Sequence, residues 1–198
     1  MPKLDFWYEF ASTYSYLAAM RIEKLAKEAG VAVAWRPFLL GPIFKAQGWD
    51  TSPFNIQLAK GKYMWRDLTR LCEEQGLPKF HIPAKFPQTS LAAARIALAL
   101  DDGARPAFSR AVYLAEFADG QDIGDAFVLE AILQKLGHDP RILLVKAGTQ
   151  KIKDALRANT EEAQRLGIFG APTFVLSSGE MFWGNDRLEQ ALAWANRG

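Results

Sequence analysis

The fold is decided by the stretch KLDFWYEFASTYSYLAAM, residues 3–20. Leu4, Phe6, Tyr8 and Phe10 alternate with Asp5, Trp7 and Glu9, the period of two expected of a β-strand. A turn with two hydroxyls three residues apart, Ser12 and Ser15, follows at once. The chain then sets Ala18, Ile22, Leu25 and Ala29 on one helical face, with Lys24, Lys27 and Glu28 elsewhere, and Gly30 supplies the stop. VAVAWRPF, residues 31–38, reads as a second strand, stopped by Pro37. Strand, helix and strand in that order predict a parallel pair with a right-handed crossover.

Beyond this start the pattern changes. Residues 39–60, LLGPIFKAQGWDTSPFNIQLAK, are punctuated by Gly and Pro and read as loop, too long for a plain connection. Helical patterns follow over 62–76, 90–103, 106–120, 125–137 and 151–167, with Gly76, Gly103, Gly120, Gly137 and Gly167 where helices should stop. No strand signal interrupts them. APTFVLSSGEMFWG, residues 171–184, returns to two apolar runs around a Gly-containing turn, a hairpin. NDRLEQALAWANRG then reads as a closing helix with Asn185 or Asp186 as N-cap and Leu188, Leu192 and Ala195 on its apolar stripe. The order βαβ, helical block, ββα predicts an α/β protein in the thioredoxin arrangement. Residues 1–40 and 168–198 would form the thioredoxin-like domain, 60–167 an inserted all-helical subdomain, and 41–59 a connecting loop at the active site.

Composition narrows the function classes. The net charge is +2 without a basic run, which argues against nucleic acid as a partner. A single cysteine, Cys72, excludes an intrachain disulfide and fits a reducing compartment. No signal-type apolar segment and no run long enough to span a bilayer is present, so the expectation is a soluble, cytoplasmic chain with no membrane partner. His81, His138 and Cys72 are too few and too scattered for a metal cluster, so no metal is expected.

The chemistry should sit where the first strand meets the first helix. Free N–H groups and the positive end of the helix dipole favour an anion there. Redox proteins of this fold place C-x-x-C at that turn, because the dipole lowers a thiol pKa. This chain has Ser12-Thr13-Tyr14-Ser15 instead, and serine cannot exchange disulfides. Two readings of Ser12 stand: a helix cap, or a hydroxyl donor to a thiolate that belongs to another molecule. A serine hydrolase is disfavoured, because there is no G-x-S-x-G elbow and neither histidine has a partner setting. In FGAPTFVL, Pro172 either opens a strand in the trans form or follows a cis Ala171–Pro172 bond, which would turn the Ala171 backbone toward a bound peptide. In FWGNDRL, Asn185 and Asp186 either cap the helix or meet an amino group and a carboxylate.

DFWYEFASTYSYLAAMRIEKLA, WRPFLLGPIFKAQG, AKGKYMWRDL, FGAPTFVL and FWGNDRL, in this order and across essentially the whole chain, resemble the 2-hydroxychromene-2-carboxylate isomerases. That family is related to the kappa-class glutathione transferases. The resemblance implies a homodimer that uses glutathione as cofactor and isomerises a small aromatic carboxylate. It implies that Ser12 holds the glutathione thiolate and that Ala171 beside cis-Pro172 pairs with the cysteinyl backbone. Asn185 and Asp186 would meet the γ-glutamyl end, and Lys60, the lysine of the family's KG-x-YM motif, would help hold the peptide. The chain departs from the family twice. Asp50 stands where an asparagine is common, with Asn55 as a substitute, and Thr13 stands where proline is common. Trp49, Trp65, Phe86 and Trp183 are candidates for an apolar wall against the substrate ring, and Lys45 for a charge on its carboxylate. The alternatives are a kappa-like transferase acting on other electrophiles and a non-catalytic thioredoxin-like peptide-binding module.

Overall fold

The computed structural model describes residues 1–197. Strand β1 (Lys3–Tyr8) leads into helix α1 (Thr13–Ala29) and back to β2 (Ala32–Pro37). Helices α2 (Leu40–Ala46), α3 (Pro53–Ile56), α4 (Leu58–Glu74), α5 (Leu91–Ala99), α6 (Arg105–Phe117), α7 (Ala126–Lys135), α8 (Pro140–Ala147) and α9 (Gln150–Arg165) follow. The chain closes with β3 (Thr173–Leu176), β4 (Met181–Trp183), a 3₁₀ turn over Asn185–Arg187 and α10 (Leu188–Ala195). The sheet order is β2-β1-β3-β4. β1 is parallel to β2 and antiparallel to β3, and β3 is antiparallel to β4. This is the expected thioredoxin-like α/β sheet, with helices alone between its two halves.

β1 is a central strand, and both of its faces are covered. Leu4, Phe6 and Tyr8 join the larger core, where Phe6 stacks on Tyr8 and Phe174 and meets the Trp35 edge. Trp7, on the opposite face, packs with Phe38, Ile43, Ala163, Ile168 and Val175. The alternation of β1 therefore separates two cores rather than core from water, as expected for a sheet covered on both faces.

The structure corrects two sequence expectations here. The stretch read as loop over 41–59 holds α2 and α3, because its prolines lie in first turns, where a missing N–H costs nothing. An additional helix, α8, starts at Pro140 with Asp139 as its cap; the Asp139 carboxylate accepts from the Arg141 amide at 2.9 Å. Among the described residues no helix is long and apolar enough to cross a membrane.

Candidate functional site

Ser12 sits between β1 and α1 and does two jobs. Its Oγ accepts from the Ser15 amide at 3.3 Å, capping α1. It also donates to the Ala171 carbonyl at 2.9 Å, tying the first turn of α1 to the Ala171–Pro172 pair that leads into β3. The amides of Thr13 and Tyr14 find no acceptor among the described residues, as expected for the first turn of a helix. The Ala171–Pro172 peptide is cis, which resolves the two readings of that proline. The Pro172 carbonyl accepts from the Gly184 amide at 3.0 Å, so the residues leading into β3 and the chain after β4 are held side by side.

These elements frame a cavity of about 800 Å³. Ser12, Lys60, Asp50, Ala171, Pro172, Asn185 and Asp186, scattered over the sequence, all line it. The capping role considered for Asn185 and Asp186 does not hold. The 3₁₀ turn begins after Gly184 and α10 is flanked by Arg187, both without a side-chain cap. Asn185 is buried and its Oδ1 has no partner among the described residues, while its carbonyl accepts from Arg21 at 3.1 Å. Asp186 is exposed and pairs with Arg187 at 3.2 Å. Lys60 extends from the first turn of α4 over the Phe54 ring, 5.7 Å from its centroid.

The loop question between Asp50 and Asn55 has a clear geometric answer. Asp50 faces the cavity. Asn55 does not; its amide donates to the Phe86 carbonyl at 2.9 Å and to Thr51 at 3.0 Å. Trp49, Phe86 and Trp183 contribute to the apolar wall. Trp65 does not, because it is turned into a stack with Phe80 and an edge contact with Phe86, and Lys45 also lies outside the lining. Thr13 is explained by its hydroxyl, which donates to Met64 Sδ at 3.3 Å and links α1 to α4. Ser15 is wholly buried behind the turn, away from the cavity. Cys72 is buried at 1% exposure, and its desolvated thiol is pushed up to about 11, so it stays protonated and inert.

Glu9 is the lining residue that pattern reading missed. It follows β1 directly, lies 7% exposed and lines the cavity. The Ser90 hydroxyl donates to its Oε1. Burial pushes its carboxyl up to about 7, against the opposing pull of Ser90 and the Ala11 amide. Its carbonyl accepts from the Ser12 amide at 3.0 Å and from the Tyr113 hydroxyl at 2.9 Å. Alternation groups Glu9 with Asp5 and Trp7, but β1 ends at Tyr8, and beyond it the Glu9 carboxyl lies against Ser90 at the start of α5, where it lines the cavity. An acid next to the strand–helix turn was the available signal.

Residues 3–193 match the family described as DSBA-like thioredoxin domain. A 2-hydroxychromene-2-carboxylate isomerase of Sphingobium xenophagum is 29% identical over 187 residues, covering 94% of each chain. Glutathione S-transferase kappa 1 of Homo sapiens is 28% identical, over 94% of this chain and 88% of that one. A solved 2-hydroxychromene-2-carboxylate isomerase superimposes with a TM-score of 0.86 at 27% identity, over 98% of this chain and 95% of its own. With the family match spanning nearly the whole chain and the fold and strand–helix turn in agreement with it, the protein belongs to the DsbA-like thioredoxin domain family, in the part of it that resembles the 2-hydroxychromene-2-carboxylate isomerases.

Proposed function

We propose that the protein is a glutathione-dependent isomerase that interconverts 2-hydroxychromene-2-carboxylate and trans-o-hydroxybenzylidenepyruvate. The observation that carries this reading is the Ser12 hydroxyl at the N-terminus of α1, in the cysteine's place, on the wall of a cavity large enough for a tripeptide and an aromatic ring. The isomerase relatives support the reaction, and the kappa transferase relatives support the cofactor.

The lining fits glutathione by its donor set. Ser12 offers a hydroxyl and the Thr13 and Tyr14 amides are free, a combination suited to an anionic sulfur. The Ala171 amide has no partner among the described residues and is available to a peptide carbonyl. Asn185 brings an acceptor with no partner, and Asp186 a carboxylate suited to an α-amino group. Lys60 is the one cationic side chain among the described lining residues, and its charge suits a carboxylate of the bound peptide.

When bound, glutathione would supply a thiolate able to add reversibly to an activated alkene, so that a double bond becomes single, rotates and is restored. The chain's own part is electrostatic and geometric. Ser12 and the end of α1 favour the anionic sulfur by about 1–3 kcal/mol, enough to lower a thiol pKa by one to two units. Trp49, Phe86 and Trp183 hold the aromatic ring and exclude water. We further propose that the enzyme acts as a cytoplasmic homodimer. The test follows 2-hydroxychromene-2-carboxylate by ultraviolet spectrum, with and without glutathione. Turnover only with glutathione is expected; turnover without it, or none at all, overturns the reading.

A transferase reading uses the same residues and rests on the kappa-class relatives. Net consumption of glutathione with an aryl halide, in place of isomerisation, would favour it.

A further inference from the structure

Opening a cyclic hemiketal requires two proton movements. The hydroxyl on the hemiketal carbon must lose a proton, and the departing ring oxygen must gain one. Neither movement is served by Ser12, whose hydroxyl is committed to the thiol position. Among the cavity-lining acids, Asp50 and Asp186 lie at the exposed rim and Asp67 accepts from the Tyr14 hydroxyl at 3.0 Å. Glu9 alone among them is buried, and its carbonyl accepts from the Ser12 amide at 3.0 Å.

We propose that Glu9 is the acid–base catalyst of ring opening, moving one proton between the two oxygens of the substrate's hemiketal carbon. The inference rests on the isomerase reading. In the forward step one carboxylate oxygen takes the proton of the hemiketal hydroxyl while that C–O bond becomes a carbonyl. The bond from the same carbon to the ring oxygen breaks with its electron pair on the ring oxygen, which takes the proton carried by the carboxyl group. Glu9 ends as it began, and no outside acid, base or oxidant is needed. The two substrate oxygens share one carbon, as the two carboxyl oxygens do, so one group serves both.

The surroundings suit that role. Ser90 fixes Oε1 through one lone pair and the Ala11 amide also favours the carboxylate, while Glu9 remains part of the cavity lining. No ion pair holds Glu9 among the described residues, so no cation pins it as a permanent carboxylate. The groups that face it are Ser90 before α5, the Ala11 amide, and Tyr113 and Glu116 on α6. Glu116 is wholly buried with both oxygens unpartnered among the described residues. Burial, together with the charges of Glu9 and Asp122, holds it well above the usual carboxylate range. It is therefore a neutral neighbour. Tyr113, also buried, is raised well above the usual phenol range and stays protonated. Glu9 is left as the group that changes protonation near neutral pH, where a proton shuttle works best.

The test compares the parent with Glu9→Gln and Ser90→Ala on 2-hydroxychromene-2-carboxylate with glutathione across pH. Glu9→Gln should lower kcat about 10²-fold or more with KM little changed. Calorimetric glutathione binding and the thiolate absorbance should persist. Ser90→Ala removes a bond that favours the carboxylate, so its activity profile should move to higher pH. Infrared difference spectra should show a carboxylic acid band that titrates near neutrality in the parent and is missing from Glu9→Gln. If the parent turns over while Glu9→Gln keeps kcat within twofold, or Ser90→Ala leaves the profile in place, the Glu9 role is overturned alone. A parent that does not turn over overturns the isomerase reading and this role with it.

Discussion

The Ser12 hydroxyl donates to the Ala171 carbonyl at 2.9 Å, so its one proton is already engaged. A sulfur anion docking there must win that proton from a neutral carbonyl, which a charged acceptor does. Ser12→Ala should therefore lower kcat by about 10- to 100-fold. It also removes the cap on the Ser15 amide, which costs about 1 kcal/mol of stability. Urea unfolding and steady-state rates read the two effects separately.

Ser12→Cys places a thiol where the helix end favours its anion. Its reaction with iodoacetamide should reach half-maximal rate at a pH below that of an ordinary cysteine. The assay has a silent background, because the buried Cys72 thiol is pushed up to about 11. An ordinary titration would show that the end of α1 exerts no pull on this position.

Lys60→Met keeps an apolar stem over the Phe54 ring and removes the charge. The KM for glutathione should rise about tenfold, and the salt dependence of that KM should flatten, with kcat less affected. Initial rates at two ionic strengths check both.

Gly61 lies where α4 meets α3, and a Cβ there would collide with the Phe54 carbonyl oxygen. Backbone cannot yield as a side-chain tip can. Gly61→Ala should destabilise the fold by about 1–3 kcal/mol and shift Lys60 with the start of α4. Thermal melts and glutathione affinity should decline together.

Glu9 predicts a pH signature in stability. The unfolded chain releases this proton near 4.5 and the folded chain near 7. Between those values the folded state binds more protons, so stability falls as pH rises and levels off above about 7. Relative to Glu9→Gln the parent should lose about 3 kcal/mol across this window. Denaturation curves at pH 4.5 and pH 8 measure the difference.

Periodicity carried most of the fold. The alternation of Leu4, Phe6 and Tyr8, the face of Ala18, Ile22 and Leu25, and the glycine stops were local signals, and Gly30, Gly76, Gly120, Gly137 and Gly167 do take positive φ. The short helices α2 and α3 escaped because Gly41, Pro42, Gly48 and Pro53 mark both loops and helix starts. Helix α8 is legible in Asp139-Pro140, a capping acid followed by a first-turn proline. At the site, Ser12 announced itself by standing in a cysteine's position. The choice between Asp50 and Asn55 depended on which side chain the Phe86 carbonyl captured, a contact 31 residues away that no local pattern encodes. Glu9 was hidden because it lies one residue past the end of β1, where its partner is Ser90, a contact 81 residues away.

The register of β3 on β1 sets Phe174 against Phe6 and Trp7 against Thr173. Sliding β3 by one residue would turn Phe174 and Leu176 out of the core and carry Ala171 about 3.4 Å along β1. The spacing between Ser12 and Ala171 is thus measured out by buried rings that touch no ligand. Substitutions that let this sheet slip would first be felt as a loss of chemistry, and selection for a well-packed core keeps the catalytic ruler true.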